Sequence, residues 1–174
     1  GALDDKIAAN TALVQLLRET ALAFASRVSA FGKVSDLARH TRSQVTPADM
    51  TDEVVHHYSL PAFDAGSGPD VVPPETIKSS KFRVVTPSVL VSKLNPRFPR
   101  IWDLPTLDEH SALASTEFVV LEPLAVSSSL LWALIAQPAV SVELEAQVAG
   151  TSGSHQRVKP VAILAATVGD PSTL

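Results

Sequence analysis

From Leu3 onward the chain places an apolar or small residue at alternating steps of four and three: Leu3, Ile7, Asn10, Val14, Leu17, Ala21, Phe24 and Val28. This is the heptad seam of a helix that packs lengthwise on another helix. Asp4 and Asp5 stand where they offset the positive end of the helix dipole, and Gly32 is suited to cap the far end. The spacing predicts one long helix over residues 3–31. Leu13, Leu16 and Leu22 widen the stripe, so more than one neighbour is predicted. Asn10, the polar seam residue, either fixes register at some cost in stability or faces solvent. The following sequence offers no hairpin partner of matching length. The seam is therefore assigned to a helix of another chain, or of a part of the protein outside these residues.

Beyond Gly32 the periodicity breaks up. Thr46-Pro47, Leu60-Pro61, Ala65-Gly66-Ser67-Gly68-Pro69 and Pro73-Pro74 punctuate short apolar pieces, which read as turns between short strands. Phe82–Val85, Val89–Ser92 and Glu117–Leu121 read as strands, with Pro87 in a turn and Pro123 closing the third. Ser127–Ser129 offer N-caps for a helix through Leu130–Ala136. Pro138 opens a further helix carrying Val140, Leu144 and Val148, which Gly150 ends. A Gly/Ser/Thr loop, a short Pro160–Ala165 element and an extended piece through Val168 follow. The predicted class is α+β: a coiled-coil-type helix over residues 1–32, then a mixed, irregular α/β domain over residues 33–174.

Composition narrows what such a chain does. Hydrophobic residues make up 45% and charged residues 18%, enough for a folded core. No apolar run reaches the ~18 residues of a membrane span, and the first turns lack the basic-then-apolar order of a signal peptide. A cytoplasmic protein is expected. Cysteine is absent, which removes disulfides, thiol catalysis and cysteine-ligated metal. The chain opens at Gly1-Ala2 without methionine, as an excised fragment would.

The net charge of −4 argues against indiscriminate coating of nucleic acid, yet the charge is unevenly spread. Between Thr76 and Trp102 lie Lys78, Lys81, Arg83, Lys93, Arg97 and Arg100 with no Asp or Glu among them. A second acid-free stretch, Ala146 to Gly169, holds His155, Arg157 and Lys159. If the two meet, they make one basic, polyanion-binding face on an acidic body. The loop Ser92–Trp102 turns at Pro96 and Pro99 and presents three cations; Phe98 and Trp102 are predicted to pack inward. Lys and Arg at such a turn suit phosphates, while Arg and Asn suit guanine and adenine edges. Gly150–Arg157 adds a flexible start followed by His155, Gln156 and Arg157.

Catalytic patterns are not found. No two histidines among His40, His56, His57, His110 and His155 have the helical spacing of zinc hydrolases. Adjacent His56 and His57 are predicted to face opposite sides of a strand, one buried and one exposed. There is no G-x-S-x-G elbow and no phosphate-loop pattern. Asp4-Asp5 and Asp108-Glu109 read as solvated surface. No catalytic residue, metal ligand or resident cofactor is assigned.

Six pieces occur in a telling order: Leu3-Asp4-Asp5-Lys6-Ile7-Ala8-Ala9-Asn10, His57-Tyr58-Ser59-Leu60-Pro61-Ala62-Phe63-Asp64, Ile77-Lys78-Ser79-Ser80-Lys81-Phe82, the Lys93–Arg100 loop, Ala114-Ser115-Thr116-Glu117-Phe118-Val119-Val120-Leu121, and Gly150–Arg157 leading to Val158-Lys159-Pro160. Together they resemble the specificity (S) subunit of type I restriction–modification enzymes, namely one target recognition domain with its preceding conserved helix. A complete S subunit has two of each, so this chain looks like half a subunit or less. The resemblance implies a non-catalytic reader of one half of a bipartite double-stranded DNA target. Its long helix would act as a ruler and dock methyltransferase (M) subunits, joined by a restriction (R) subunit. Those partners would use S-adenosylmethionine, ATP and Mg2+. On this reading Lys78, Lys81, Arg83, Lys93, Asn95, Arg97, Arg100, His155, Gln156 and Arg157 contact DNA, with Asn95 and Arg97 assigned to bases. Leu3, Ile7, Asn10, Val14, Leu17, Ala21, Phe24 and Val28 form the subunit interface or a self-association seam. The alternative is a protein-interaction module that uses the helix and presents its basic face to an acidic partner.

Overall fold

The computed structural model describes residues 1–66, 68–148 and 156–173. The chain runs through α1 (Ala2–Ala25), β1 (Phe31–Lys33), α2 (Val34–Leu37), β2 (Ala38–Thr41), β3 (Gln44–Val45), β4 (Val55–Tyr58), α3 (Leu60–Ala65) and β5 (Asp70–Val72). It continues with β6 (Lys81–Val84), β7 (Ser88–Ser92), β8 (Ile101–Leu104), β9 (Ser111–Ala114) and β10 (Phe118–Pro123). α4 (Ser128–Ile135), α5 (Pro138–Ala146), α6 (Pro160–Ala165) and β11 (Thr167–Gly169) complete it. The fold is α+β, with a long N-terminal helix followed by irregular mixed sheets.

α1 has 24 residues, about 36 Å of helix at 1.5 Å per residue. It ends at Ala25 rather than near residue 31, with the Ser26 N–H on the Leu22 carbonyl at 3.0 Å. Gly32 is not a helix cap but a strand residue paired with Val168, because β1 pairs antiparallel with β11. Burial outweighs helix propensity here. Val28 leaves the helix line and is buried against Gly169, where an added Cβ would lie 2.8 Å from the Val28 Cβ. α1 packs on the body through its C-terminal half. There Ala21 and Ala25 join the core, the Gln137 side-chain amide donates to the Leu22 carbonyl, and the Arg18 guanidinium lies over Trp132. Residues 2–20 are exposed along their length.

A four-stranded antiparallel sheet runs in the order β2-β10-β7-β8, and a five-stranded sheet in the order β3-β6-β9-β4-β5 with β4 and β9 parallel. β7 and β10 are buried on both faces, which is why they read in the sequence as continuous apolar runs. Val89, Val91, Val119 and Leu121 turn toward α4, α5 and α6 in the main core. Leu90, Phe118 and Val120 turn toward Val84, Ala112 and Ala114 of the second sheet. The layers are thus helices, central sheet and outer sheet, with Val55, Ile77 and Leu113 forming a small core on the outer sheet's far side.

Other elements depart from expectation in instructive ways. The segment after Tyr58 forms α3 rather than a turn: the Ser59 hydroxyl accepts from the Ala62 N–H, Pro61 sits in the first turn, and Gly66 ends it at φ 70°. β9 has little strand propensity in its Ser-Ala-Leu-Ala sequence and exists because β4 and β6 flank it on both sides. His56 and His57 are both half-buried rather than one in and one out. His56 Nδ1 lies 3.2 Å from the Asp108 carboxylate, and His57 is held below the usual histidine value by burial and by Lys81.

Candidate nucleic-acid interface

Two of the chain's crossings between the central and outer sheets, at Arg42-Ser43 and at Ser115–Glu117, lie at one corner, beside the point where β7 ends and the Ser92–Arg100 loop begins. A cleft of about 590 Å³ opens there.

The loop is held in place by backbone rather than left loose. Its base is closed by the Ser92 N–H on the Arg100 carbonyl at 3.0 Å, and the Ser92 hydroxyl caps the Leu94 N–H. Asn95 takes the left-handed conformation at φ 53°, which short polar side chains tolerate, and the chain turns there into Pro96. The Phe98 N–H returns to the Asn95 carbonyl, and Ser141 of α5 donates to the Pro96 carbonyl at 2.7 Å. The segment before α6 runs alongside: Leu94 and Arg157 form a β-bridge, Asn95 donates to the Gln156 carbonyl at 2.9 Å, and Val158 donates to the Lys93 carbonyl at 2.9 Å. The mid-chain loop and the late segment therefore share a wall.

Of the sequence-predicted contacts, Lys93 and Arg157 line the cleft, and Asn95 and Gln156 are joined backbone to backbone beside them. Arg97 is exposed at the tip with its guanidinium 5.7 Å from the Phe98 ring centroid. Phe98 is 59% exposed instead of packed inward. Trp102 does pack inward, edge-on to Tyr58 and Phe63. Arg100 belongs to the loop, but its Nε and Nη2 donate to the Asp64 carboxylate at 2.6 and 3.0 Å and hold it below the usual carboxylate range. Arg157 reaches Glu117 at 3.1 Å. His155 and the Gly150–Ser154 lead-in lie outside the described residues.

Lys78, Lys81 and Arg83 are not part of the wall. Phe82 of β6 lines the cleft, so strand alternation sends Lys81 and Arg83 to the opposite face of the sheet. Lys81 is 6% exposed and donates to the Ser79 carbonyl and hydroxyl. Burial lowers the pKa of its ammonium. Arg83 donates to the Ser111 hydroxyl, which donates in turn to Asp52. Lys78 is exposed in the connection before β6. On the helix, Leu3, Ile7, Asn10, Val14, Leu17 and Phe24 are exposed, whereas Ala21 is half-buried and Val28 is buried within its own chain. Ala21 packs inward where α1 docks on α4, and Val28, beyond the end of α1, packs against Gly169 of β11.

The cleft also contains residues that sequence reasoning passed over: His40, Arg42 and Gln44 from the β2–β3 crossing, and Thr116 and Glu117 from the turn before β10. A signal existed in the basic run Arg39-His40-Thr41-Arg42, within a region read only as turns. Arg42, Lys93 and Arg157 line the cleft against the single carboxylate of Glu117, an excess of positive charge. His40 is pushed below the usual histidine value by burial first, then by Arg42 and Lys93. A polar, cationic corner with stiff walls suits phosphate oxygens and the polar edges of bases. Among the described residues no group of three or more His, Asp or Glu is placed to hold a metal ion.

No protein-family model and no curated protein matches this chain. Its fold has a solved counterpart. The chain is similar to one from a structural study of complex assembly and conformational transition of the type I restriction–modification system, at TM-score 0.66 over 82% of this chain and 15% identity. It spans 38% of that chain's length. Likeness at this identity is a likeness of fold. Among the described residues, no helix is long and apolar enough to cross a membrane.

Proposed function

We propose that this chain is a target recognition unit of a type I restriction–modification specificity subunit, a non-catalytic reader of one half of a bipartite duplex DNA target. The observation that carries the reading is the backbone union of the Lys93–Arg100 loop with Gln156-Arg157 beside a cationic cleft that Lys93 and Arg157 line, in a fold similar to a chain of that system. Asn95 and Arg97 stand at the turn of a stiff loop and are the base readers. Lys93 and Arg157 serve phosphates. The boundary between helix and recognition domain falls near residue 32.

The exposed apolar side chains of α1 support the second half of the reading. Leu3 at 72%, Ile7 at 57%, Val14 at 51% and Leu17 at 59% exposure form a face too apolar to be left in water. Covering a side chain of this kind contributes about 1.5–3 kcal/mol. That face docks methyltransferase subunits and a second long helix, or pairs with a second copy when those are missing. S-adenosylmethionine, ATP and Mg2+ belong to the M and R partners, and a cytoplasmic location goes with the assignment.

The test is selection of bound duplexes from a random-sequence pool, with and without a methyltransferase subunit. The expected result is enrichment of one short motif and a steep salt dependence, a slope of log K against log salt near about −5 for six phosphate contacts. A pool that emerges unenriched, with binding insensitive to salt, overturns the assignment.

A further inference from the structure

The wall of the cleft that faces the loop is built by a different part of the chain. Residues 40–44 cross the corner between the two sheets, from the end of β2 to the start of β3. His40, Arg42 and Gln44 all line the cleft. Arg39 is engaged with Glu122 at 2.8 Å.

Arg42 and Lys93 approach the same space from separate elements, close enough that both disfavour a proton on His40. Neither has a carboxylate partner among the described residues. The one carboxylate lining the cleft, Glu117, is already engaged by Arg157. Two unpaired cations beside a half-buried imidazole repel one another and disfavour a third charge. An anion with several oxygens removes that repulsion.

We propose that Arg42 and Lys93, with His40 beside them, clasp one backbone phosphodiester of a bound DNA duplex. The proposal rests on the DNA-reading assignment above and adds to Lys93 a contact made by the β2–β3 crossing, which belongs to neither recognition segment. A phosphodiester brings one negative charge. Seated against both cations, it offsets the repulsion they add to the burial that disfavours a charged His40, so the ring takes up a proton more readily as DNA binds. The charged groups facing His40 across the cleft are Arg42 on its own segment, Lys93 after β7, Glu117 before β10 and Arg157 before α6. With the phosphate in place, Arg42 and Lys93 no longer oppose the imidazolium unscreened.

The experiment measures binding of the whole chain to a pool of random-sequence duplexes by fluorescence anisotropy across a salt series, and follows the His40 ring by NMR. Arg42→Gln/Lys93→Gln should make the salt slope shallower by about 1, and should weaken binding roughly tenfold. Arg42→Gln alone, at an exposed position, repeats the measurement where folding is least at risk. Lys33→Gln, on β1 outside the cleft, should change nothing. Duplex should move the wild-type His40 ring toward imidazolium, and the double variant should abolish that shift.

If the wild type binds duplex and the double variant keeps its slope and affinity, the clasp is wrong while the DNA-reading assignment stands. If the wild type binds no duplex at all, both fall. Inorganic phosphate is run in parallel: a His40 shift with phosphate but none with duplex assigns the site to free phosphate and overturns the backbone contact.

Discussion

Between Thr76 and Trp102 the chain carries Lys78, Lys81, Arg83, Lys93, Arg97 and Arg100 without one carboxylate, yet the fold treats the two ends of this stretch differently. At the near end, Lys81 is buried on its own Ser79, and Arg83 points to the far face of the outer sheet. At the far end, Lys93 and Arg97 form no ion pair with a carboxylate among the described residues. Arg100, only three residues past Arg97, is locked to Asp64 of α3. Absence of acid along the sequence therefore does not mean absence of acid in space. Asp64 and Glu117 come from remote segments and neutralise some cations of the basic stretches but not others. A cation free to meet a polyanion is identified by its neighbours in three dimensions.

That contrast can be broken or sharpened by experiment. The largest effect is expected at the unpaired tip. Arg97→Ala should cost about 1–3 kcal/mol of discrimination at one base position while leaving the melting temperature near that of the parent. Affinity for duplexes varied at each selected position measures it, and a uniform loss across all positions would reassign Arg97 to a phosphate.

Glu117→Gln should act in the opposite direction. It removes the one carboxylate from the cleft and frees Arg157, so duplex affinity should rise by about two- to fivefold, an exposed ion pair's worth of energy. Salt dependence should steepen at the same time. Weaker binding would mean that Glu117 is needed to hold Arg157 in place.

The smallest effect is expected at the paired cation. Arg100→Ala should lower stability by less than about 1 kcal/mol, because the pair with Asp64 is partly exposed. Its DNA specificity should be unchanged. Since Arg100 holds the Asp64 carboxyl below the ordinary carboxylate range, the pair stabilises the fold above that range. Its contribution fades as the pH falls through the folded value of Asp64. Denaturant melts of parent and variant at neutral and acid pH should differ at neutral pH and converge in acid.

Much of the local structure was legible from residue patterns alone. Ser127 caps α4 through the Leu130 N–H, Pro138 opens α5, and the valine-rich runs of β7 and β10 are strands. These follow from propensity, capping and apolar content, which act over a few residues. The seam of α1 was equally visible, and residues 2–20 are exposed. The end of that helix was not, because the force that stops it at Ala25 is the pairing of β1 with β11, some 140 residues away in the chain. β9 is a strand for the same kind of reason, since its flanking partners supply what its own residues lack.

The candidate site divides along the same line. The residues in order were enough to show two acid-free segments, one of them a proline-stiffened loop. Only the tertiary structure decided that the two lie side by side and that His40, Arg42 and Gln44 face them. It also decided which arginines are already neutralised. The physical reason is range: capping and periodicity are settled within a turn or two of backbone. The charge that a cleft presents is the sum over side chains brought together from the whole chain, and strand alternation or a single remote carboxylate changes that sum without leaving a mark on the local sequence.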